Sequence, residues 1–159
     1  MPSGRTHLRI EAALLFGWTG LAGYLLAIRV LPPMVVVAFI PAYAFSMLFL
    51  SPDLDLARSR ASRRWGIGRW LWIPYALCFR HRQLSHHPIL GPATRILYLA
   101  AVVGTVGLAV VLVLGRPFRL VLPPAEALAG VIAGLYVPNL THVVVDRVAS
   151  RWLRRRRRL

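Results

Sequence analysis

Histidine and aspartate are rare in this chain and are concentrated in four short stretches. The sequence contains five histidines and five acidic residues. The stretches are "TH" ending at His7, "PDLD" at Pro52–Asp55, "HRQLSHH" at His81–His87 and "THVVVD" at Thr141–Asp146. Imidazole combined with carboxylate is the ligand set of zinc, manganese and iron sites. These residue types predict a metal centre if the fold brings the stretches together.

The spacing within two of the stretches supports convergence. His142 and Asp146 are four residues apart, so on a helix they share one face. Asp53 and Asp55 are two apart, so in an extended segment both carboxylates point the same way. Each residue also has a simpler interpretation. A histidine near a helix end can be solvated or capping, "PDLD" can be a turn with an N-cap, and His142 with Asp146 can be a structural hydrogen bond.

The composition places these residues in an unusually apolar and basic chain. It is 57% hydrophobic and carries 20 basic against 5 acidic residues, for a net charge of +15, and every basic residue is arginine. A basic excess favours either nucleic acid or an anionic membrane surface, and such an apolar chain favours the membrane. Cys78 is the only cysteine. It excludes an intrachain disulfide and a thiolate-rich zinc site.

Apolar segments of membrane-spanning length position the polar stretches. A helical span needs about 20 mostly apolar residues. We therefore predict an all-α integral membrane bundle of about four transmembrane helices, with residues 1–159 forming a single metal-binding domain. The four predicted spans are Ile10–Ile28, Leu31–Leu50, Ile96–Leu114 and Ala125–Val145.

The distribution of arginine predicts the orientation of these spans. Four spans place both termini and the middle loop, residues 51–95, on one side, which carries most of the arginines. The opposite side has only Arg29, Arg116 and Arg119. By the positive-inside rule the arginine-rich side is cytoplasmic, in a multi-pass protein of the inner membrane. The polybasic C-terminal tail, residues 154–159, predicts contact with anionic lipid headgroups and no specific nucleic acid.

The middle loop contains a Trp-rich segment, residues 65–79, "WGIGRWLWIPYALCF". It is too short and too interrupted to cross a bilayer. Tryptophan and tyrosine favour the headgroup level, which predicts an interfacial or re-entrant segment. A loop packed over the mouth of the bundle is an equally good interpretation.

This topology places almost all the ionisable side chains of the four stretches at the cytoplasmic end of the bundle. Ionisable residues at membrane depth are costly and usually mark function. The sequence therefore predicts a centre for divalent metal ions, with zinc favoured, manganese or iron as alternatives, and two or more ions in total. Arg80, Arg82 and Arg95 are candidate phosphate contacts, or alternatively contacts to lipid headgroups.

The order of these motifs resembles a family of short bacterial membrane proteins described as metal-binding. The matching stretches here are "MPSGRTH", "PDLD", "WGIGRWLWIPY" and the region from His81 to Leu99, with "THVVVD" in the last third. The family is similar in motif order to membrane-bound metal-dependent hydrolases, and more remotely to zinc-dependent phospholipases C and single-strand nucleases. His87 departs from the pattern, in which a small residue usually follows "SH".

The resemblance implies both a ligand set and an activity. The implied metal ligands are His7, Asp53, Asp55, His81, His86, His142 and Asp146. The implied activity is metal-dependent hydrolysis of a phosphate ester, possibly of a lipid, at the cytoplasmic membrane surface. Two alternatives remain, namely a non-catalytic protein in which metal joins the helix ends, and a transporter that uses the same cluster. The transporter is disfavoured because transport sites usually lie near the bilayer midplane.

Overall fold

The chain folds into helices around a polar centre. The computed structural model describes residues 4–56, 59–79, 87–115 and 121–156, and every structural statement below concerns these residues. No strand occurs among them. The α-helices are α1 (Gly4–Ala27), α2 (Pro33–Phe49), α3 (Arg60–Arg64), α4 (Ile73–Cys78), α5 (Leu90–Leu114) and α6 (Ala125–Arg156). Two 3₁₀ helices lie between them, the PDLD turn (Pro52–Asp55) and Gly66–Trp72.

Three helices are long and apolar enough to cross a bilayer: Gly4–Ala27, Leu90–Leu114 and Ala125–Trp152. They correspond to the first, third and fourth predicted spans. The second corresponds to α2, which is apolar but has only 17 residues. That length is at the short end of the range of about 17 to 25 residues for a spanning helix. The helix of the fourth predicted span, α6, extends well past the predicted end at Val145. The first part of the polybasic tail, up to Arg156, is therefore helical.

Small residues let α6 pack directly against the backbone of α2. A Cβ added at Gly134 would lie 2.5 Å from the carbonyl oxygen of Phe39. Gly130, one turn earlier, faces the carbonyl of Val35 in the same way. Glycines four residues apart allow two helices to approach closely, as in the small-xxx-small interfaces of membrane proteins. This contact sets the distance between α2 and α6, the helix that carries His142 and Asp146.

A buried hydrogen-bond network ties the start of α5 to α2 and α6. Nη1 of Arg95 donates to the carbonyl oxygen of Leu50 at 2.7 Å and also to Oδ1 of Asn139. Nδ2 of Asn139 donates to Oγ of Ser46 at 2.9 Å, and Ser46 donates to the carbonyl oxygen of Leu135 at 2.7 Å. Because buried polar groups need partners, this network fixes how three helices meet.

The Trp-rich segment combines features of both interpretations made from the sequence. Trp72 and Tyr75 are buried and pack edge-to-face, with ring centroids 5.6 Å apart. Nε1 of Trp65 donates to the carbonyl oxygen of Phe49 at 2.8 Å, which anchors the segment to the end of α2. Ile67 and Trp70 instead point outward and are exposed. The segment therefore covers one end of the bundle and presents apolar side chains outside it.

Candidate metal centre

Two long helices each contribute a histidine and a carboxylate at helical spacing. His7 and Glu11 lie four residues apart on α1, and His142 and Asp146 have the same spacing on α6. Since residues four apart share a helix face, each pair projects from one side of its helix. All four side chains are buried, with exposures of 8% or less. Buried ionisable side chains on two helices that meet are costly, so these groups mark a specialised site.

The two pairs cross between the helices. Nε2 of His7 lies 3.1 Å from Oδ1 of Asp146, and Nδ1 of His142 lies 3.2 Å from Oε1 of Glu11. This reciprocal pattern requires α1 and α6 to run antiparallel at this point. The two imidazole rings stack with centroids 3.8 Å apart and an interplanar angle of 13°. Each histidine is thereby oriented by a carboxylate from the opposite helix.

The PDLD turn brings a third carboxylate to the same place. It follows α2 directly, and the side chain of Ser51 accepts a hydrogen bond from the backbone N–H of Asp53 at 3.5 Å. Oδ2 of Asp53 lies 3.9 Å from Nε2 of His142, and Oδ2 of Asp146 lies 4.0 Å from the same nitrogen. These distances exceed those of hydrogen bonds. They are close to the separation of roughly 3.5 Å between ligand atoms that share one tetrahedral zinc ion.

The hydrogen bonding of His7 fits a metal ligand. Because an ionised carboxylate only accepts hydrogen bonds, Nε2 of His7 donates to Asp146, and the neutral ring then has its lone pair on Nδ1. Nδ1 is buried and has no hydrogen-bond partner among the described residues. A histidine held by a carboxylate through one nitrogen, with the other facing inward, is the usual arrangement of a metal-bound histidine. The environment of His7 therefore fits a bound cation.

The donor set as a whole also fits a divalent cation. Ligand atoms of His7, Glu11 and His142 lie within 4.8 Å of one another. Asp53 and Asp146 add two further carboxylates around His142. Burying the carboxylates of Glu11 and Asp146, with the partly exposed Asp53 beside them, is costly unless positive charge compensates for them. Zinc, manganese and iron all accept mixed imidazole and carboxylate ligands.

The structure thus brings together four residues predicted from the sequence: His7, Asp53, His142 and Asp146. The backbone of Asp55 lies in the same PDLD turn, but its side chain lies outside the described residues. The predicted ligands His81 and His86 and the predicted phosphate contacts Arg80 and Arg82 also lie outside the described residues. Their assignments stay predictions.

Two other residues singled out in the sequence have different contacts in the structure. Arg95 is buried in the network that joins α5 to α2 and α6, where its guanidinium donates to Leu50 and Asn139, and its role as a phosphate contact stays a prediction. His87 is exposed at the start of α5. Its Nδ1 accepts hydrogen bonds from the backbone N–H groups of Ile89 and Leu90, at 3.3 and 3.0 Å, as a helix-capping side chain does.

The prediction from sequence missed Glu11 as a member of the centre. Its carboxylate orients His142, and it belongs to the compact group with both buried histidines. A signal was present in the sequence, because His7 and Glu11 have the same four-residue spacing as His142 and Asp146. An acidic residue one helical turn after a histidine lies on the same helix face, so the two side chains together indicate a polar site on that face.

The centre opens into a cavity of about 270 Å³. Its lining includes the candidate ligands His7, Glu11, Asp53 and His142 and also two arginines, Arg60 and Arg64. Nη1 of Arg64 donates to the carbonyl oxygen of Leu48 at 3.1 Å, which holds this guanidinium against the end of α2. A cavity lined by both candidate metal ligands and guanidinium groups can accommodate an anion.

Together, the helical fold and the buried His/carboxylate centre define a helical metal-binding protein. The chain belongs to a family described as "Uncharacterized metal-binding protein (DUF2227)", whose model matches residues 2–156. It is also similar to an uncharacterized protein of Aquifex aeolicus (strain VF5), with 34% identity over 122 residues, which cover 68% of this chain and 86% of that relative. No solved structure matches the chain. The implied relationship to hydrolases and phospholipases stays a prediction.

Proposed function

We propose that this protein is an integral membrane metalloenzyme that hydrolyses a phosphate ester in the cavity beside the metal centre. The observation that carries the proposal is the position of the candidate ligands, which form one wall of a 270 Å³ cavity rather than a closed cluster. Catalytic metal sites keep a coordination position open to water or substrate, whereas structural sites are closed. The two arginines in the cavity lining favour an anionic substrate.

The described ligand set for the metal would be His7, Glu11, Asp53, His142 and Asp146. Asp55, His81 and His86 are further ligands implied by the family resemblance, and together they would suffice for two ions. Zinc suits the donors best, with manganese or iron as alternatives. When bound, a divalent ion would act as a Lewis acid toward phosphoryl oxygens and lower the pKa of a water molecule.

The protein's own side chains orient the reaction. Glu11 and Asp146 fix the two imidazole rings through their crossed hydrogen bonds. Arg60 and Arg64, which also line the cavity, would neutralise the phosphate oxygens. In the hydrolysis, the oxygen of water bonds to phosphorus, the P–O bond to the alcohol breaks, and a proton from water goes to the departing alcohol oxygen.

Hydrolysis is tested with purified protein loaded with zinc or manganese and a water-soluble phosphodiester, bis-p-nitrophenyl phosphate. We expect metal-dependent release of nitrophenol. We expect Arg60→Gln to lower kcat/KM about tenfold, because the loss of one charge-assisted contact to the transition state costs at least about 1.5 kcal/mol. Arg69→Gln is the matched control, since Arg69 lies outside the cavity against the ring of Trp70. Absence of turnover on a broad ester panel despite bound metal would refute the catalytic proposal.

We further propose that the helices cross the inner membrane with both termini and the metal centre on the cytoplasmic side. Three helices have the required length and hydropathy, and α2, an apolar helix of 17 residues, would be the further crossing that places both termini on one side. The arginine-rich segments flank the end at which the centre lies, as the positive-inside rule requires of a cytoplasmic face. Anionic lipid headgroups would be the partners of these arginines and of the tail.

Cys78 provides a direct test of this orientation. It is exposed and is the only cysteine in the sequence. We expect a membrane-impermeant maleimide to label it in inverted membrane vesicles and to leave it unlabelled in intact spheroplasts. The matched control is a Cys78→Ser, Val121→Cys variant, since Val121 is 85% exposed in the segment before α6. This variant should show the opposite pattern. Labelling of Cys78 from the outside would overturn the proposed topology.

A purely structural metal site is the alternative function. The crossed pairs His7–Asp146 and His142–Glu11 join two helices that are distant in sequence, so a cation there would hold α1 and α6 together. This alternative predicts that metal removal lowers the unfolding temperature and that no ester is hydrolysed. The enzyme proposal differs from it because it also requires turnover that depends on Arg60.

A further inference from the structure

A second cavity, of about 260 Å³, lies farther along the bundle from the metal centre. Its walls are the apolar face of α1 from Trp18 to Leu25, the side chains of Val36 and Phe39 on α2, and those of Ala133 and Val137 on α6. Carbon atoms provide nearly all of this lining. A groove of this kind accommodates hydrocarbon and offers nothing to a polar ligand.

The groove and the polar cavity follow the same stripe of α1. Gly4, Leu8 and Glu11 line the polar cavity, and Trp18 and Leu25 line the groove. Steps of three, four and seven residues keep positions on one helix face. At 1.5 Å per residue, the groove begins about 10 Å from Glu11 along α1 and ends about 21 Å from it. Both cavities therefore open along the same side of one helix.

Along the bundle, the charged residues of the polar cavity are followed by one phenol, that of Tyr43, and then by the apolar residues of the groove. Tyr43 of α2 is fully buried, and its hydroxyl donates to the backbone carbonyl oxygen of Glu11 at 3.1 Å. The groove residues Val36 and Phe39 lie one to two turns before Tyr43 on the same helix. Tyr43 lines neither cavity. The lining along α1 changes from charged side chains in the polar cavity to apolar side chains in the groove.

We infer that the substrate of the proposed hydrolase is a phospholipid, whose phosphate lies in the polar cavity and one of whose acyl chains lies in the groove. The inference rests on the proposed function. The far end of the groove lies about 21 Å from Glu11 along α1. That distance accommodates a headgroup followed by an acyl chain of about 15 Å, half the thickness of the hydrocarbon core. The two linings match the two parts of a phospholipid. Arginines and the candidate metal ligands would surround the phosphate, and apolar side chains would surround the acyl chain.

Lipid binding is tested without relying on turnover. Purified protein in detergent is titrated with dipalmitoyl phosphatidylglycerol, and retained lipid is counted by native mass spectrometry. Ala133→Phe fills the groove from an exposed position of α6 and should weaken binding of the first lipid about tenfold. Ala109→Phe, at an exposed position of α5 outside the groove, should bind as the wild type does. Equal retention by both variants, or a groove covered by a second copy of the chain at doubled mass, would overturn the inference.

Activity then separates this inference from the proposed function. Ala133→Phe should lower hydrolysis of phosphatidylglycerol about tenfold and leave hydrolysis of bis-p-nitrophenyl phosphate unchanged, because only the lipid uses the groove. Equal activity of Ala133→Phe and wild type on both substrates would refute the acyl-chain assignment while leaving the hydrolase proposal intact. Lipid retention that depends on Ala133, with neither substrate hydrolysed, would refute the hydrolase and with it the role of the lipid as substrate.

Discussion

Replacing His142 with alanine should remove the bound metal from the protein. His142 is the residue shared by all parts of the centre, since Nδ1 lies 3.2 Å from Glu11 while Nε2 faces Asp53 at 3.9 Å and Asp146 at 4.0 Å. Its loss removes a ligand and leaves Glu11 without its buried partner. Changing a group that only supports a ligand already costs about 10- to 100-fold in metal affinity. We therefore expect at least about a 100-fold loss for His142→Ala.

Elemental analysis by inductively coupled plasma mass spectrometry of the purified protein measures this loss. His87→Ala is the matched control, because His87 is exposed and caps α5 away from the centre. It should retain the metal content of the wild type. Asp53→Ala should show an intermediate loss, since its carboxylate is partly exposed and approaches from the PDLD turn. Circular dichroism confirms that each variant is folded. Full metal content in folded His142→Ala would exclude the centre described here.

The convergence of the centre could be predicted because the four-span topology expected from the sequence constrains the positions of helix ends more strongly than local propensity does. An even number of spans places the start of α1, the end of α2 and the end of α6 on the same side. His7, Asp53 and His142 occupy those three positions. The structure brings them together with Asp146, as the topology predicted. The number of helices long enough to span is three, because α2 is shorter than the others.

The detailed pairing within the centre could not be predicted, because sequence does not fix the rotation of one helix against another. Glu11 follows His7 by one turn of α1, but only the packing of α1 on α6 turns its carboxylate toward His142. Arg95 shows the same limit. An arginine at the start of a helix can contact either a lipid headgroup or a buried carbonyl group. In the structure, the guanidinium of Arg95 donates to the carbonyl oxygen of Leu50 at 2.7 Å. Such choices depend on tertiary contacts between distant segments.

Because α2 and α6 approach so closely at Gly134, adding a single methyl group there should strongly lower the free energy of unfolding. A Cβ there would lie 2.5 Å from the carbonyl oxygen of Phe39 and 2.8 Å from both the backbone nitrogen of Tyr43 and the Cβ of Ala42. Two of these are backbone atoms, which cannot rotate away as a flexible side chain could. Relief therefore requires the helices to separate. Overpacking of this kind costs typically 1 to 3 kcal/mol, and we expect about 3 kcal/mol for Gly134→Ala.

Separation of α2 and α6 should also change the geometry of the metal centre. Asp53 follows the end of α2, and His142 lies about two turns after Gly134 on α6, so moving the helices apart increases the distance between these two ligands. Gly134→Ala should accordingly lose metal as well as stability, although it alters no ligand. Unfolding in mixed detergent, followed by circular dichroism, measures the change in the free energy of unfolding.

Gly104→Ala on α5 is the control for this prediction, because a Cβ there meets nothing within 4 Å. Alanine has the higher helix propensity, so this substitution in open surroundings should leave the free energy of unfolding unchanged or raise it by up to about 1 kcal/mol. The contrast isolates the helix contact, since both variants exchange glycine for alanine inside a helix and differ only in what the new methyl group meets. If Gly134→Ala were as stable and as rich in metal as Gly104→Ala, the tight α2–α6 contact could not be what holds Asp53 against His142.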